Sequence, residues 1–514
     1  MRMNEESFET LYQYAKRVYS NEITLEDASI KVHSKHPEVA ESSARHYLTW
    51  YSKMHSGDFL TWNTNSELLK YYCKKIIEEE GIGAGAIAIK SAMKFAKHVS
   101  RDVLIDDLVR LASENNIELS QSLEQVDLSD IPLYNTEDEQ EMTTKEQIEL
   151  IKSFIEYKGF TYDSKLIENF YLSLKSKPFV ILAGTSGTGK TRLVRLFAEA
   201  ISAKYKLVSV RPDWSDSSDL FGHIDLNGKY NPGEILKFMA DAQKAENADI
   251  PYILCLDEMN LARVEYYLSD FLSIIETRDV KDGIITSDPL INEEKYGADT
   301  SALKEYGILR FPANFYLVGT VNMDETTFPF SKKVLDRANT IEFNYVDLSY
   351  VYNDVDEVQP LIIQNDFLRT EYLYLSQCED VDYIEKISDE LQKINEILKE
   401  SNAHIGYRVR NEIIFYMLNN KNSQLLSDDE ALDNEIMQKI LPRIQGSSLS
   451  VKDMLCKLFV HLAGDFDSNP QNNDVSVKME NKLDADGSKF PKSAEKIAFM
   501  VRRFEEDGFT SYWL

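Results

Sequence analysis

The stretch Pro178-Phe-Val-Ile-Leu-Ala-Gly184-Thr-Ser-Gly-Thr-Gly-Lys190-Thr191 decides the fold of this chain. The run PFVILA has the composition of a buried strand, and TRLVRLFAEAISAKY after the loop has apolar residues at helical spacing. Residues 184–191 between them fit the pattern G-x-x-x-x-G-K-T, and the pattern needs this strand-to-helix context to be meaningful. Its glycines let backbone N–H groups turn inward around a phosphate. The sequence therefore predicts a phosphate-binding loop here, and a chance glycine-rich turn is the weaker alternative.

The last two residues of this loop have predicted tasks on a nucleoside triphosphate. Lys190 is expected to reach the β- and γ-phosphates, and the Thr191 hydroxyl is expected to bind Mg²⁺. The predicted nucleotide-binding residues are Gly184, Thr185, Ser186, Gly187, Thr188, Gly189, Lys190 and Thr191. ATP and GTP both carry the phosphates that these groups would bind, so the base stays open.

Polar side chains end two further apolar strands. Tyr252-Ile-Leu-Cys-Leu-Asp257-Glu258 places two carboxylates at a strand end, where Asp257 would hold Mg²⁺ and Glu258 would polarise the attacking water. Such a pair alone more often begins a solvated loop, but the phosphate loop favours the functional interpretation. The strand at 315–320 leads to Asn322, a candidate to sense the γ-phosphate, with a turn-capping asparagine as the alternative.

The chain divides by composition into four segments. Residues 1–112 show apolar residues at helical spacing and predict a helical N-terminal domain. Residues 113–150 hold eleven acidic residues and one basic residue, which is typical of a solvated linker. In residues 151–345 strands alternate with helices, which predicts a three-layer α/β core with a parallel sheet. Residues 346–514 predict a helical C-terminal lid that continues into a helical region.

Composition limits the cellular setting. The net charge of −29 argues against a chain that coats nucleic acid by bulk attraction. Residues 1–100 carry 13 basic and 13 acidic side chains, so any DNA contact of this chain is expected there. The start has no apolar run like a signal peptide, and no stretch is long enough to span a bilayer, so a soluble cytoplasmic protein without a membrane partner is expected. The cysteines stand far apart, consistent with a reducing interior: Cys73, Cys255, Cys378 and Cys456.

Three stretches resemble the McrB-like branch of AAA+ proteins, over about residues 175–345. They are RPDWSDSSDLFG at 211–222, LDEMNLARVEYYLSDFLSIIE at 256–276 and FPANFYLVGTVNMDETTFPFSKKVLDRA at 311–338. The resemblance implies an AAA+ P-loop NTPase core and supports the tasks given above for Asp257, Glu258 and Asn322. After Asn322 this chain has Glu325 and Thr326 where the family has Asp and Arg, so a guanine preference does not carry over.

The resemblance also implies partners. McrB works as a ring, expected to be a hexamer, with a separate nuclease subunit. In a ring, one subunit lends an arginine finger to its neighbour, and Arg337 in Leu335-Asp336-Arg337-Ala338 is the main candidate here, with a structural ion pair as the alternative. Arg408 and Arg410 of GYRVRNE are further candidates for sensing nucleotide from the lid.

The function that this resemblance implies is that of a motor subunit in a DNA restriction or anti-phage complex. One alternative is a MoxR or dynein-related ATPase that remodels protein complexes; another is a scaffold that binds nucleotide only to assemble. Intact Lys190, Asp257 and Glu258 argue against the scaffold. Residues 1–112 would serve DNA recognition, protein docking or oligomerisation, and no nuclease motif is apparent in the chain.

Overall fold

A computed structural model describes most of the chain in two compact units. The first unit comprises Met1–Phe160, Ala200–Ser202 and Val351–Ile363, and the second comprises Thr161–Glu199, Ala203–Tyr350 and Gln364–Leu514. We call them the N-terminal unit and the P-loop unit. The described residues are 3–20, 22–37, 39, 41–57, 60, 66–98, 102–115, 117, 142–163, 165–281, 284–297, 299–323, 328–343, 348, 358–466 and 469–513.

The N-terminal unit is helical, as the sequence predicts. Its helices are α1 (Glu5–Tyr19), α2 (Leu25–Lys35), α3 (Glu41–Ser56), α4 (Ser66–Glu80), α5 (Ile82–His98), α6 (Asp102–Glu114) and α7 (Thr144–Tyr157). Aromatic side chains form its core, since Tyr12, Trp50 and Tyr72 are at most 1% exposed. Tyr12 and Tyr72 meet edge to face with ring centroids 5.2 Å apart. These buried rings are therefore core residues and do not offer a surface for stacking bases.

The predicted linker lies largely outside the described residues, which resume at 142. Helix α7 runs through residue 150, where the linker is predicted to end. A capping box begins this helix, because the Thr143 hydroxyl accepts from the Glu146 N–H and the Glu146 carboxylate accepts from the Thr143 N–H. The domain boundaries derived from composition remain predictions.

A parallel sheet forms the centre of the P-loop unit, as predicted. In the described residues its strands are β1 (Phe179–Gly184), β2 (Lys204–Ser209), β5 (Tyr252–Asp257), β8 (Phe315–Asn322) and β9 (Asn339–Glu342), in the order β2-β5-β8-β1-β9. Every neighbouring pair is parallel. The carboxyl ends of β1, β5 and β8 therefore lie side by side at one edge, where ligands bind in such sheets.

Helices alternate with these strands along the chain. They are α8 (Leu166–Ser176), α9 (Lys190–Ala200), α10 (Ser218–Phe221), α11 (Glu234–Ala242), α12 (Val264–Tyr267), α13 (Ser269–Ile274), α14 (Thr300–Tyr306) and α15 (Lys332–Leu335). Two antiparallel hairpins, which the sequence analysis did not predict, are inserted between them: β3 (Gly222–Ile224) with β4 (Tyr230–Pro232), and β6 (Asp279–Lys281) with β7 (Ile284–Thr286).

The C-terminal part of the P-loop unit is helical, again as predicted. It contains α16 (Val381–Lys399), α17 (Tyr407–Ser423), α18 (Asp428–Glu435), α19 (Leu449–Ala463), α20 (Val475–Asp486) and α21 (Pro491–Asp507), with the short strands β10 (Gln445–Gly446) and β11 (Thr510–Ser511). A π-helical turn, Ile436–Ile440, follows α18. No helix in the described part of the chain is both long and apolar enough to cross a membrane.

A buried ion network joins these helices to the sheet domain. Glu412 on α17 pairs with Lys177 after α8 and with Lys439, whose side chain is fully buried. Burial alone would raise the pKa of Glu412, but the two lysines bring the pKa down to about 2. Lys439 also donates to the Ala338 carbonyl at 2.8 Å. Removing one partner would leave a buried charge unpaired, so the network holds the C-terminal helices against the sheet.

Candidate nucleotide site

The phosphate loop is the turn between β1 and α9. Strand β1 is fully buried and ends at Gly184, and α9 begins at Lys190. Gly187 and Gly189 have φ angles of 80° and 94°, a region that favours glycine because a Cβ is strained there. Residues 185–187 are exposed, so the open side of the turn is accessible to a ligand. The predicted loop therefore has the strand, turn and helix that its mechanism needs.

Lys190 lies along this loop. Its side chain is buried, and its ammonium donates to the carbonyl oxygens of Gly184 at 3.0 Å and Thr185 at 2.6 Å. The ammonium also lies 3.4 Å from the Thr188 hydroxyl. These contacts keep the positive charge at the mouth of the turn, where an anion would be bound.

Asp257 is bonded to the phosphate loop and to the neighbouring strand. Its Oδ1 accepts from the Thr191 hydroxyl at 2.6 Å and from the Thr320 hydroxyl at 2.6 Å. Thr191 and Asp257, predicted as metal ligands from distant parts of the sequence, thus meet at one point. A hydroxyl and a carboxylate are the hard oxygen donors that Mg²⁺ prefers beside substrate phosphates, so the donor set fits this ion.

Glu258 has a different partner from its neighbour. Its Oε1 accepts from the Asn322 side-chain amide at 3.0 Å. The backbone of Glu258 is left-handed, with φ 53° and ψ 48°, which is uncommon for a residue other than glycine. Such strain persists where the surroundings fix it, and it is frequent at functional sites. Asn322 ends β8 directly opposite Gly184 in the strand register, so its amide holds Glu258 at the strand end that adjoins the phosphate loop.

Thr320 and three further residues fix this turn, and none of them is among the site residues predicted from the sequence. The Thr320 hydroxyl accepts from the Glu258 N–H at 3.2 Å while donating to Asp257. The Met259 side chain packs so closely on Gly319 that a Cβ there would lie 2.0 Å from Met259 Sδ. Buried Asn260 donates to the Asn322 carbonyl at 3.3 Å. Thr320 could have been found from the sequence, because it is a polar residue within an otherwise apolar strand.

A cavity of about 1040 Å³ adjoins the loop on the side of the C-terminal helical region. Its lining residues include Gly184, Thr185, Thr188 and Met323 from the core and Asn434, Met437, Gln438, Lys492, Glu495, Lys496, Phe499, Tyr512 and Trp513 from the C-terminal helical region. Tyr162 lines it as well, and the Tyr162 hydroxyl donates to the Gly189 carbonyl at 3.2 Å. The volume is sufficient for a nucleotide whose phosphates occupy the loop.

Arg408 and Arg410, the two candidates for sensing nucleotide, have other partners in this structure. Arg408 pairs with Glu276 at 2.7 Å, and Arg410 hydrogen-bonds Asn411. Neither is among the described residues that line the cavity. The lid cations that do line it are Lys492, which donates to Asn434 Oδ1 at 3.0 Å, and Lys496, which pairs with Glu342 at 2.8 Å. Lys492 and Lys496 sit in the first turns of α21, a placement that periodicity alone does not reveal.

Arg337, the candidate arginine finger, is held within its own chain. Its Nε donates to the Leu272 carbonyl at 2.9 Å and its Nη1 to the Lys333 carbonyl at 2.8 Å. Glu276 lies 3.6 Å from Nε, so Arg337 and Arg408 share one carboxylate. Arg337 also does not line the cavity of its own chain in the described residues. Glu325 and Thr326, which depart from the McrB pattern, lie outside the described residues.

Similarity to known families bears on both parts of the P-loop unit. Residues 179–338 match the AAA domain (dynein-related subfamily), and residues 355–509 match a domain of unknown function, DUF8727. Sheet, loop and match together identify residues 179–338 as an AAA+ P-loop α/β core that is similar to the AAA domain (dynein-related subfamily). The match does not separate the McrB branch from its dynein-related relatives, so that finer assignment stays a prediction.

Two further comparisons add little. No curated protein matches the chain. Among solved structures, one similar chain is a "putative ATPase" from Cytophaga hutchinsonii ATCC 33406, at 15% identity and a TM-score of 0.34, covering 58% of this chain and 88% of that one. A likeness at this TM-score supports no statement about fold or function.

Proposed function

We propose that this chain hydrolyses a nucleoside triphosphate to a diphosphate and inorganic phosphate, with the two carboxylates after β5 in separate tasks. The observation that carries the proposal is their separate bonding. Asp257 is bonded to the Thr191 hydroxyl, a magnesium ligand in P-loop enzymes, whereas Glu258 is bonded to Asn322. This separate bonding supports a task with the metal for Asp257 and a task with the water for Glu258.

The chain's own groups account for binding and positioning. Backbone N–H groups of residues 184–191 and the start of α9 would surround the β-phosphate, and Lys190 would neutralise charge on the β- and γ-phosphates. Thr191 and Asp257 would hold Mg²⁺, which when bound offsets charge on the phosphate oxygens.

Glu258 would accept a proton from the attacking water. The water oxygen then bonds to the γ-phosphorus, and the bond from that phosphorus to the β–γ bridging oxygen breaks. Asn322 would orient the Glu258 carboxylate and contact the γ-phosphate or the water from β8.

Assembly is the second part of the proposal. We infer that Arg337 acts as an arginine finger on the phosphates of a neighbouring copy in a ring, expected to be a hexamer. The guanidinium would have to release the Leu272 and Lys333 carbonyls to do so. The alternative is a permanent structural role for Arg337, and mixing Lys190→Ala chains with Arg337→Ala chains distinguishes the two roles.

The cellular role that we propose is that of a motor subunit in a DNA restriction or anti-phage complex with a separate nuclease. It is supported by the McrB-like stretches at 211–222, 256–276 and 311–338. The alternative, remodelling of protein complexes, is favoured by the match of residues 179–338 to the dynein-related AAA domain. A cytoplasmic location remains a prediction with either role.

Hydrolysis of ATP and GTP measured side by side, with and without DNA, tests this proposal. We expect Mg²⁺-dependent release of phosphate from at least one nucleotide, and stimulation by DNA together with a nuclease encoded beside this chain if the restriction role is right. Stimulation by a protein substrate alone would favour remodelling. Absence of hydrolysis at concentrations where the chain is assembled would contradict the enzymatic proposal.

A further inference from the structure

The segment 510–513 is fixed against the lid of the P-loop unit. Strand β11 pairs antiparallel with β10, with Gln445 opposite Ser511 and Gly446 opposite Thr510. The Thr510 hydroxyl donates to the Met500 carbonyl of α21 at 2.7 Å. Because Thr510 is fully buried and Ser511 nearly so, these bonds give the following two residues a defined position.

Tyr512 and Trp513 continue this segment to the cavity beside the phosphate loop. The Tyr512 side chain is 1% exposed, and the Lys496 ammonium lies 4.4 Å from its ring centroid. The Tyr512 and Trp513 rings meet nearly at right angles with centroids 4.6 Å apart. Lys496 also pairs with Glu342 at the end of β9. The tyrosine is thus held between lid and sheet, and it holds the tryptophan.

Trp513 lies against the core side of the same cavity. Its ring packs edge-on to Phe330 with centroids 6.2 Å apart, and the residue lines the cavity together with Met323 and Thr185. Met323 follows Asn322, and its N–H donates to the Gly184 carbonyl at 3.2 Å. Unlike Tyr512, Trp513 is only partly buried. A large apolar ring therefore borders the space next to the phosphate loop and the end of β8.

We infer that Trp513 forms a wall of the nucleotide site and contacts the bound nucleoside triphosphate on the side of Met323, an inference that rests on the function proposed above. An indole at this place would bury apolar surface on binding and keep water away from the phosphates. Tyr512 acts as a positioning residue, because its ring packs against the indole at nearly a right angle. A segment outside both family matches would then be part of the catalytic site.

Tryptophan fluorescence tests the contact directly. The chain has Trp50, Trp62, Trp214 and Trp513. We compare a chain that keeps only Trp513, made by Trp→Phe at the other three positions, with the Trp513→Phe chain that keeps those three. Equilibrium dialysis with radiolabelled ADP and Mg²⁺ measures binding independently. We expect ADP to change the emission of the Trp513-only chain and to leave that of Trp513→Phe nearly unchanged.

Affinity gives a second measurement of the same contact. Trp513→Ala should weaken ADP binding about tenfold, since a ring of this size is lost from the wall, whereas Trp513→Phe should stay within about threefold of wild type. Tyr407→Ala is the matched control, because Tyr407 is an exposed aromatic of the same unit outside the cavity. Thermal unfolding of each variant separates a lost contact from a lost fold.

The outcomes distinguish this inference from the proposed function. If Lys190→Ala abolishes ADP binding but Trp513→Ala leaves the affinity unchanged, the site is right and the wall is wrong. A full wild-type emission change in Trp513→Phe, or none in a Trp513-only chain that dialysis shows to bind ADP, would also overturn the wall. If the wild-type chain binds no nucleotide in dialysis, the proposed function and this inference fail together.

Discussion

Asp257–Glu258 and Arg337 are two charged regions of the same unit, and they differ in the groups to which they are hydrogen-bonded. The carboxylates are bonded to side chains from other strands and from the phosphate loop, namely Thr191, Thr320 and Asn322. Arg337 instead donates hydrogen bonds to two main-chain carbonyls, those of Leu272 and Lys333. Side chains that converge on a turn from separate elements indicate a site. A cation held by nearby carbonyls is equally suited to holding structure.

Lys190→Ala, in the phosphate loop that Asp257 contacts, should have the largest effect of the single changes that bear on this comparison. The ammonium supplies charge to the phosphates and makes no apolar packing, so we expect hydrolysis to fall about 10⁴-fold while the fold is kept. Phosphate release and thermal unfolding measure the two quantities, and Lys190→Arg is the control that keeps the charge with a different shape. Unchanged turnover in Lys190→Ala would refute the site.

Arg337→Ala sharpens the comparison, because the two explanations of this arginine differ in which chain it serves. A finger is worth about 10³-fold or more in turnover, so the variant should stay slow even when assembled. Turnover per wild-type chain should also rise with protein concentration, since the site would be complete only in the oligomer.

Mixing variants separates a finger from a structural arginine. A Lys190→Ala chain can lend Arg337 to a neighbouring Arg337→Ala chain whose own loop is sound. Mixed assemblies should therefore recover part of the activity that neither variant has alone. If sizing confirms mixed assembly and no activity returns, Arg337 acts within its own chain or only holds the Leu272 and Lys333 segments together.

Thr320→Val should have a smaller effect that is confined to the carboxylate region. The substitution keeps the shape but removes the hydroxyl that donates to Asp257 and accepts from the Glu258 N–H. A buried bond lost on one side costs about 1–3 kcal/mol, which corresponds to a fall in turnover of about 5- to 150-fold if it acts on the reaction. Thr320→Ser, which keeps the hydroxyl, should remain close to wild type in the same assay.

Gly319→Ala is expected to have the smallest effect on activity. The new Cβ would lie 2.0 Å from Met259 Sδ, so the methionine must move and unfolding should become easier by about 1–3 kcal/mol. Because Met259 follows Glu258, turnover should fall slightly as well. Denaturant unfolding measures the first effect. Adding Met259→Ala should relieve the Gly319→Ala clash, and additive losses in the double variant would show that the two residues are not in contact.

The class of fold, and the residues that meet at the candidate site, could be predicted from sequence for identifiable reasons. The phosphate loop is a local motif of eight neighbouring residues, so its geometry follows from sequence alone. Apolar strands can be recognised from sequence, and the residues that follow them then lie at the carboxyl edge of the parallel sheet. The β3–β4 and β6–β7 hairpins were missed because each strand is three residues long. Lys492, Lys496 and Trp513 reach the cavity only through packing of the lid, which local patterns do not encode.

The Arg337 contacts were equally hidden, because two of its partners are main-chain carbonyls whose direction depends on the tertiary fold. Its third partner, Glu276, also binds Lys177 and Arg408 from distant parts of the chain. A charge pattern can nominate an arginine, but it cannot show which carboxylate that arginine contacts.

The central claim is that Asp257 serves the metal and Glu258 serves the water, and a comparison of Glu258→Gln with Asp257→Asn tests it most directly. Binding of labelled nucleoside triphosphate with Mg²⁺ or with EDTA, followed by acid quench, measures affinity and hydrolysis together. Glu258→Gln should bind with wild-type Mg²⁺ dependence and hydrolyse about 10²–10⁴-fold more slowly. Asp257→Asn should lose most of the Mg²⁺ dependence of binding. Wild-type hydrolysis by Glu258→Gln, or an unchanged Mg²⁺ dependence in Asp257→Asn, would contradict the account.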